Sequence, residues 1–131
     1  MKKLAIIGFS FVLLLIIATL FFWQHQKHPT DSAIRDKLIG TWSPNIADGR
    51  VRTSTMYSDG HWTATVTGKI GTGRMDGTWH IKDGFWITTM TNNDLDMQVP
   101  STNSSRIIRI DNHEFIVSNR QMQVVYKKIE P

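Results

Sequence analysis

Two stretches of this sequence, residues 61–67 and residues 74–81, alternate apolar and polar side chains without interruption. A period of two places successive side chains on opposite faces of an extended chain, whereas a helix would need a period of 3.6. Both stretches are therefore predicted to be half-buried β-strands. The inward face would carry Trp62, Ala64 and Val66 in the first strand and Met75, Gly77, Trp79 and Ile81 in the second.

Other runs rich in β-branched and aromatic residues predict further strands. These runs are residues 50–57, 85–91, 105–110, 113–118 and 121–129, and turn-forming residues separate neighbours at 58–60, 82–84 and 111–112. About eight sequential antiparallel strands remove their exposed edges by closing into an up-and-down barrel. We therefore predict a small all-β barrel, with a small open sandwich as the structural alternative.

A short helix is predicted in front of the strands. Residues 30–32, Thr-Asp-Ser, are typical of a helix N-cap, and Ile34 and Leu38 share one face at i, i+4 spacing. Gly40 ends the helix. One apolar stripe over two turns predicts a lid that packs on the barrel.

An uncharged run, residues 4–23, precedes the domain. As a helix it would be roughly 30 Å long, the thickness of the hydrocarbon core of a bilayer. Lys2 and Lys3 lie before the run, so the positive-inside rule keeps the N-terminus cytoplasmic and exports the rest. The alternative is a cleaved signal peptide, but the run is long and Ala18 offers a poor cleavage site.

The expected organisation therefore has three parts. Residues 1–23 form an uncleaved signal-anchor that crosses the cell membrane once, residues 24–30 form a short linker, and residues 31–131 form the barrel. The domain is expected to be extracytoplasmic, and periplasmic in a Gram-negative bacterium. Its partners would be the membrane itself and a membrane protein or envelope complex.

Charge and cysteine content exclude several function classes. The chain has no cysteine, which rules out disulfides, thiolate zinc sites and cysteine nucleophiles. Lys2 and Lys3 supply two of the four net positive charges, so the domain is only weakly basic and nucleic-acid binding loses its electrostatic support. No Ser/His/Asp spacing and no carboxylate pair falls on one strand face. The domain is predicted to be non-catalytic and to need no cofactor.

Three motifs carry a resemblance to a known family. They are a G-x-W motif after the helix (residues 40–42), a Y-x-D-G-x-W hairpin (residues 57–62) and a G-T-W-x-I-x-x-G hairpin (residues 77–84). Their order resembles that of small bacterial lipocalin-like domains of the calycin type, over residues 31–129. The resemblance implies an up-and-down barrel in which Gly40 and Trp42 close one end, with the indole packed across the base.

Aromatic residues on the predicted inward faces are candidates for an apolar ligand cavity. An eight-stranded barrel is just wide enough either to be filled by side chains or to hold one small ligand. Both alternatives stay open from the sequence. The candidate ligand-binding residues are Trp62, Trp79, Tyr57, Phe85, Phe115 and Tyr126.

Trp86 and His80 are candidates for contact with a partner. If residues 82–84 form a three-residue loop, Phe85 points inward and Trp86 points outward beside His80. The polar stretch 91–104 would add a variable recognition loop near this surface. An exposed indole beside polar residues is typical of a partner contact.

His61 and His80 are weak candidates for a metal site. A hairpin centred on residues 68–73 would place them opposite each other on the outer face. Two imidazoles without a third ligand do not make a metal site. We therefore predict no bound metal.

Two functions remain. The first is a membrane-anchored accessory or interaction module at the membrane surface. The second is binding or carriage of a small apolar ligand inside the barrel. The bulky inward residues favour the first, because they leave little room for a ligand.

Overall fold

The computed structural model of the chain describes residues 16–19, 28–69, 71–120 and 122–129. Residues 16–19 are helical, and the rest of the predicted anchor and most of the predicted linker lie outside the described residues. Within the described ranges, no helix has both the length and the apolar character needed to cross a bilayer.

Eight antiparallel strands form a closed barrel in sequence order, with β1 paired to β8. This confirms the predicted up-and-down barrel and excludes the open sandwich. The strands are β1 (Gly40–Pro44), β2 (Val51–Met56), β3 (His61–Gly68), β4 (Gly71–Lys82), β5 (Phe85–Asn93), β6 (Ser101–Ile110), β7 (Glu114–Asn119) and β8 (Met122–Lys128).

One helix, α1 (Asp31–Leu38), closes one end of the barrel. The Thr30 hydroxyl caps it by accepting from the Ala33 amide at 3.3 Å, and Ile34 and Leu38 are its buried face. The helix is fixed to the turn between β4 and β5, because Asp31 accepts hydrogen bonds from the Asp83 and Gly84 amides at 2.8 and 2.9 Å. We call this the helix end. The opposite end, where the loops at 45–50 and 94–100 lie, is the mouth.

The core is densest at the helix end. Trp42 is fully buried, and its indole Nε1 donates to the Leu38 carbonyl oxygen at 2.7 Å. The Trp42 ring meets Phe115 edge-on with 4.9 Å between centroids. Gly40 lies at the junction of α1 and β1, where a Cβ would come within 3.1 Å of the Lys128 side chain. The G-x-W motif thus joins the helix to the barrel.

The β4–β5 hairpin corrects two predictions. Its turn has only two residues, Asp83 and Gly84, both with positive φ (54° and 76°), the geometry of a type I′ turn. Lys82 therefore pairs with Phe85. The predicted three-residue loop was one residue too long, and a slip of one residue exchanges the faces of a strand.

The exchange reverses the two aromatic residues at the start of β5. Trp86 is 5% exposed and points into the barrel, whereas Phe85 is 38% exposed and points out. The predictions of an outward Trp86 and an inward Phe85 are wrong. Thr88 and Met90, which follow Trp86 at a period of two, are also buried.

The β3–β4 register also differs from the prediction. Gly68 pairs with Gly71, so the hairpin turns earlier than expected and His61 lies opposite Thr78 instead of His80. This shift of two positions leaves the faces unchanged. The new partner of Trp62 is Gly77, which has no side chain to compete for the space inside the barrel.

Candidate functional site

The half of the barrel nearest the mouth contains a cavity of about 260 Å³. Its apolar wall includes Trp62 and Ala64 from β3, Met75 from β4, and Trp86 and Met90 from β5. The residues with hydroxyl or amide groups along the same wall include Ser54, Thr88, Ser101 and Asn103. The barrel is therefore filled at the helix end and hollow towards the mouth.

A wider basin of about 860 Å³ lies at the mouth, between the ends of β2, β3 and β4 and the β5–β6 loop. Four residues line both spaces, which shows that the basin adjoins the interior cavity. They are Arg52, Val66, Met75 and Met97.

The loop at 94–100 forms one wall of the mouth. The Asn93 side-chain oxygen accepts from the Leu95 and Met97 amides at 2.9 and 3.0 Å, which folds the loop back on itself. Leu95 packs directly over Gly73, where any Cβ would overlap it. The sequence predicted a recognition loop between residues 91 and 104, but β5 extends to Asn93 and β6 begins at Ser101.

Three aromatic rings form a cluster between the cavity and the core. Phe115 and Tyr126 stack with centroids 4.5 Å apart and planes 5° apart, and Trp86 meets both edge-on at 5.5 Å. Burial raises the pKa of the Tyr126 phenol, and the positive charge of Arg52 opposes that shift. The Tyr126 phenol is therefore uncharged at neutral pH. The positive charge of Arg52 is close enough to influence this buried group.

The four inward indoles fall into two classes by their hydrogen bonds. At the helix end, Trp42 donates to Leu38 O, and Trp79 donates to Tyr57 O at 3.0 Å. In the cavity wall, the Nε1 atoms of Trp62 and Trp86 are buried and have no hydrogen-bond partner among the described residues. The two unpaired indoles are the two that line the cavity.

Two of the six predicted ligand-binding residues, Trp62 and Tyr126, line the interior cavity. Phe115 is fully buried behind Tyr126, and Trp79 lies at the helix end, where the Arg35 guanidinium is 5.7 Å from its ring centroid. Tyr57 is 44% exposed, so its proposed place inside the barrel is wrong. Phe85 points away from the barrel interior, because the β4–β5 turn has two residues instead of three.

The sequence interpretation missed Trp86, Met90 and Arg52 as lining residues. A signal existed for the first two, because Asp-Gly between alternating strands is typical of a two-residue type I′ turn, which would have turned both side chains inward. Arg52 gave no such signal. A charged side chain can point inward near the open end of a barrel, and the sequence does not show which end is open.

The candidate partner contact loses its centre in the structure. Trp86 is buried, so the predicted exposed indole beside His80 does not exist. His80 itself is exposed and pairs across the sheet with Ile87.

The two candidate metal ligands are also apart from each other in the sheet register. His61 Nε2 is 3.9 Å from an Asp76 carboxylate oxygen. The cross-strand partner of His61 is Thr78, and His80 lies two positions further along β4. Over the part of the chain that is described, no three His, Cys, Asp or Glu side chains come together as a metal ion would require.

No protein-family model and no curated protein matches the chain. Solved structures do match. A lipocalin-like protein from Bacteroides uniformis ATCC 8492 is 13% identical with a TM-score of 0.56, covering 71% of this chain and 99% of that one. An uncharacterised protein from Bacteroides eggerthii DSM 20697 is 13% identical (TM-score 0.52, 70% and 99% covered). A protein from Bacteroides thetaiotaomicron VPI-5482 is 15% identical (TM-score 0.52, 73% and 92% covered). At these identities the likeness concerns the fold, and this chain has a lipocalin-like barrel fold.

Proposed function

We propose that the domain binds a small, mostly apolar molecule in the interior cavity. The single observation that carries the proposal is the space of about 260 Å³ inside the barrel, walled by Trp62, Trp86 and Met90 and adjoining the basin at the mouth. Transfer of apolar surface from water to such a wall is favourable, at about 25 cal/mol per Å². This was the second function in the sequence interpretation, and it becomes the first because Trp86 contributes to the cavity instead of the outer surface.

The cavity sets the size of the ligand. A water molecule takes about 30 Å³ of liquid volume, so a space of about 260 Å³ accommodates a compact molecule of about ten non-hydrogen atoms. A longer molecule would extend into the basin between Arg52 and Met97. We therefore expect ligands such as short aliphatic chains or one or two fused rings.

Ala64 offers a direct test, because it lies in the cavity wall and is 5% exposed. Ala64→Met would fill part of the cavity, whereas Thr78→Met places the same side chain on the exposed outer face of β4. The full chain in phospholipid nanodiscs would be titrated with naphthalene and followed by tryptophan fluorescence, with empty nanodiscs measured in parallel for partitioning.

Saturable quenching is expected for the unmodified protein and for Thr78→Met. Ala64→Met should weaken binding at least tenfold. Equal affinities for naphthalene in all three proteins, or quenching no larger than that of the empty nanodiscs, would contradict binding in the barrel.

We also propose that residues 4–23 keep the protein in the membrane. The support is their lack of charge together with Lys2 and Lys3 in front of them. The full-length protein should stay with the membrane through a carbonate wash and retain its N-terminal region by mass spectrometry. A soluble product that begins after Ala18 would contradict the anchor.

An accessory role at the membrane is the second candidate function. The observation in its favour is a set of exposed apolar side chains on the mouth loop, with Leu95, Met97 and Val99 at 39%, 49% and 42% exposure. A photocrosslinker at position 99 should then give a discrete protein adduct in membranes, and one at position 78 should not. Adducts at neither position would exclude this loop as the contact.

A further inference from the structure

The unpaired indoles indicate more about the ligand than its size. Trp62 and Trp86 are 8% and 5% exposed, and neither Nε1 has an acceptor among the described residues. A buried donor without an acceptor loses its hydrogen bond to water and gains nothing in return. A purely apolar ligand would leave both donors in that state. A ligand with an oxygen acceptor would satisfy them.

The charges around the cavity favour a particular kind of acceptor. Arg52 is the one charged residue among those that line the interior, and no Asp or Glu shares that wall in the described part of the chain. The Arg52 side chain is 26% exposed and gives one terminal N–H to Asp48 at the mouth. A guanidinium has five N–H donors, so that ion pair leaves others for a ligand.

We propose that the natural ligand is an apolar molecule that carries a carboxylate group, an inference that rests on the proposed function. The apolar part occupies the space between Ala64 and Met90. The negative charge is held in the field of Arg52, and the indole N–H groups of Trp62 and Trp86 donate to ligand oxygen. A cationic amphiphile of the same length is disfavoured by the same field.

Three probes of one chain length separate charge from shape. Octanoate, 1-octanol and octylammonium would be titrated at pH 7.5 into the full chain in nanodiscs made of zwitterionic lipid, with empty nanodiscs as the blank. Octanoate should bind at least tenfold more tightly than octylammonium, with 1-octanol between them.

Variants of the mouth charges test the role of Arg52. Arg52→Gln should weaken octanoate binding about tenfold and change 1-octanol binding less than twofold. Asp48→Asn should strengthen octanoate binding, because it removes the competing carboxylate, a result that a purely structural role of Arg52 would not produce. The matched control is Arg74→Gln, since Arg74 is exposed, pairs with Asp76 on the outer face and lines neither space.

Variants of the indoles test the acceptor. Trp62→Phe and Trp86→Phe keep an aromatic ring and remove the donor. Each should weaken both octanoate and 1-octanol about fivefold, the factor that corresponds to one hydrogen bond. Circular dichroism of each variant checks that the barrel is intact.

The two proposals fail in different ways. If all three probes bind equally and Arg52→Gln and both Phe variants have no effect, the carboxylate proposal is wrong and binding in the barrel stands. If none of the probes binds the unmodified protein above the blank, the cavity does not take ligands of this size, and the proposed function falls with it.

Discussion

The Trp42 indole donates a 2.7 Å hydrogen bond to the backbone carbonyl oxygen of Leu38, and both residues are fully buried. Leu38 is the last residue of α1, where carbonyl groups lack partners within the helix. Trp42 therefore provides a hydrogen-bond donor for a carbonyl group at the end of the helix, and its ring fills the base of the barrel. One side chain joins the two parts of the fold.

Trp42→Ala should destabilise the domain by about 3 to 5 kcal/mol, the range for removal of a buried large aromatic side chain. Trp42→Phe should cost less, because the ring is retained and mainly the hydrogen bond to Leu38 is lost. Urea denaturation followed by circular dichroism measures both. A loss below about 1 kcal/mol for Trp42→Ala would show that the helix and the barrel do not depend on this residue.

The reversed faces at the start of β5 give a second prediction. Trp86→Ala should cost about 3 to 5 kcal/mol, whereas Phe85→Ala, on the outer face, should cost about 1 kcal/mol or less. The same denaturation experiment compares them. Similar losses for both variants, or a larger loss for Phe85→Ala, would contradict the two-residue turn at Asp83 and Gly84.

The β4–β5 hairpin also shows which part of the fold can be predicted from the sequence. The alternation of residues 61–67 and 74–81 reports directly which side chains share a face, and the faces of Trp62 and Trp79 follow from it. Alternation cannot fix the phase of the next strand, because that depends on whether a turn has two or three residues. A single residue of turn length decided the faces of Phe85 and Trp86.

The cavity could not be predicted for a different reason. Whether an interior is filled or hollow depends on cross-strand register, which determines the side chains that meet at one level. Trp62 pairs with Gly77 and not with Trp79. This register keeps the Trp62 and Trp79 indoles at different levels of the barrel. Register of this kind is a property of several strands together, and no single stretch of sequence contains it.

Gly77 is expected to tolerate no side chain. A β-bulge lies between Asp76 and Gly77, and a Cβ at Gly77 would be 1.9 Å from the Thr89 carbonyl oxygen. Gly77→Ala should destabilise the barrel by about 1 to 3 kcal/mol, the typical cost of overpacking. The control is Gly68→Ala, where the nearest atom would lie at an ordinary 3.6 Å. Equal stability of the two variants in thermal denaturation would contradict the close approach.

Asp111 should make the free energy of unfolding vary with pH in the acid range. Its carboxylate accepts from the His113 and Glu114 amides at 2.8 and 2.9 Å and from Arg109 at 3.0 Å, and these bonds lower its pKa from 3.8 to about 2. A depressed carboxylate pKa gives stability that is present above the unfolded value and is lost as the pH falls through the folded value.

The unmodified protein should therefore be more stable than Asp111→Asn at pH 7, and the difference should shrink between about pH 4 and about pH 2. Urea midpoints measured at a series of pH values give this difference directly. A difference that stays constant across that window would show that the Asp111 charge does not contribute.

The indole N–H resonances of the full chain test the central claim most directly, because each reports on one side chain. The protein in nanodiscs, labelled with ¹⁵N on the indole nitrogens and assigned with single Trp→Phe variants, would be titrated with octanoate. The Trp62 and Trp86 resonances should move to lower field and saturate together, while those of Trp42 and Trp79, already bonded to backbone carbonyls, should stay within a small fraction of that shift. Unchanged Trp62 and Trp86 signals, or equal shifts for these two and for Trp42 and Trp79, would contradict a ligand site in the mouth half of the barrel.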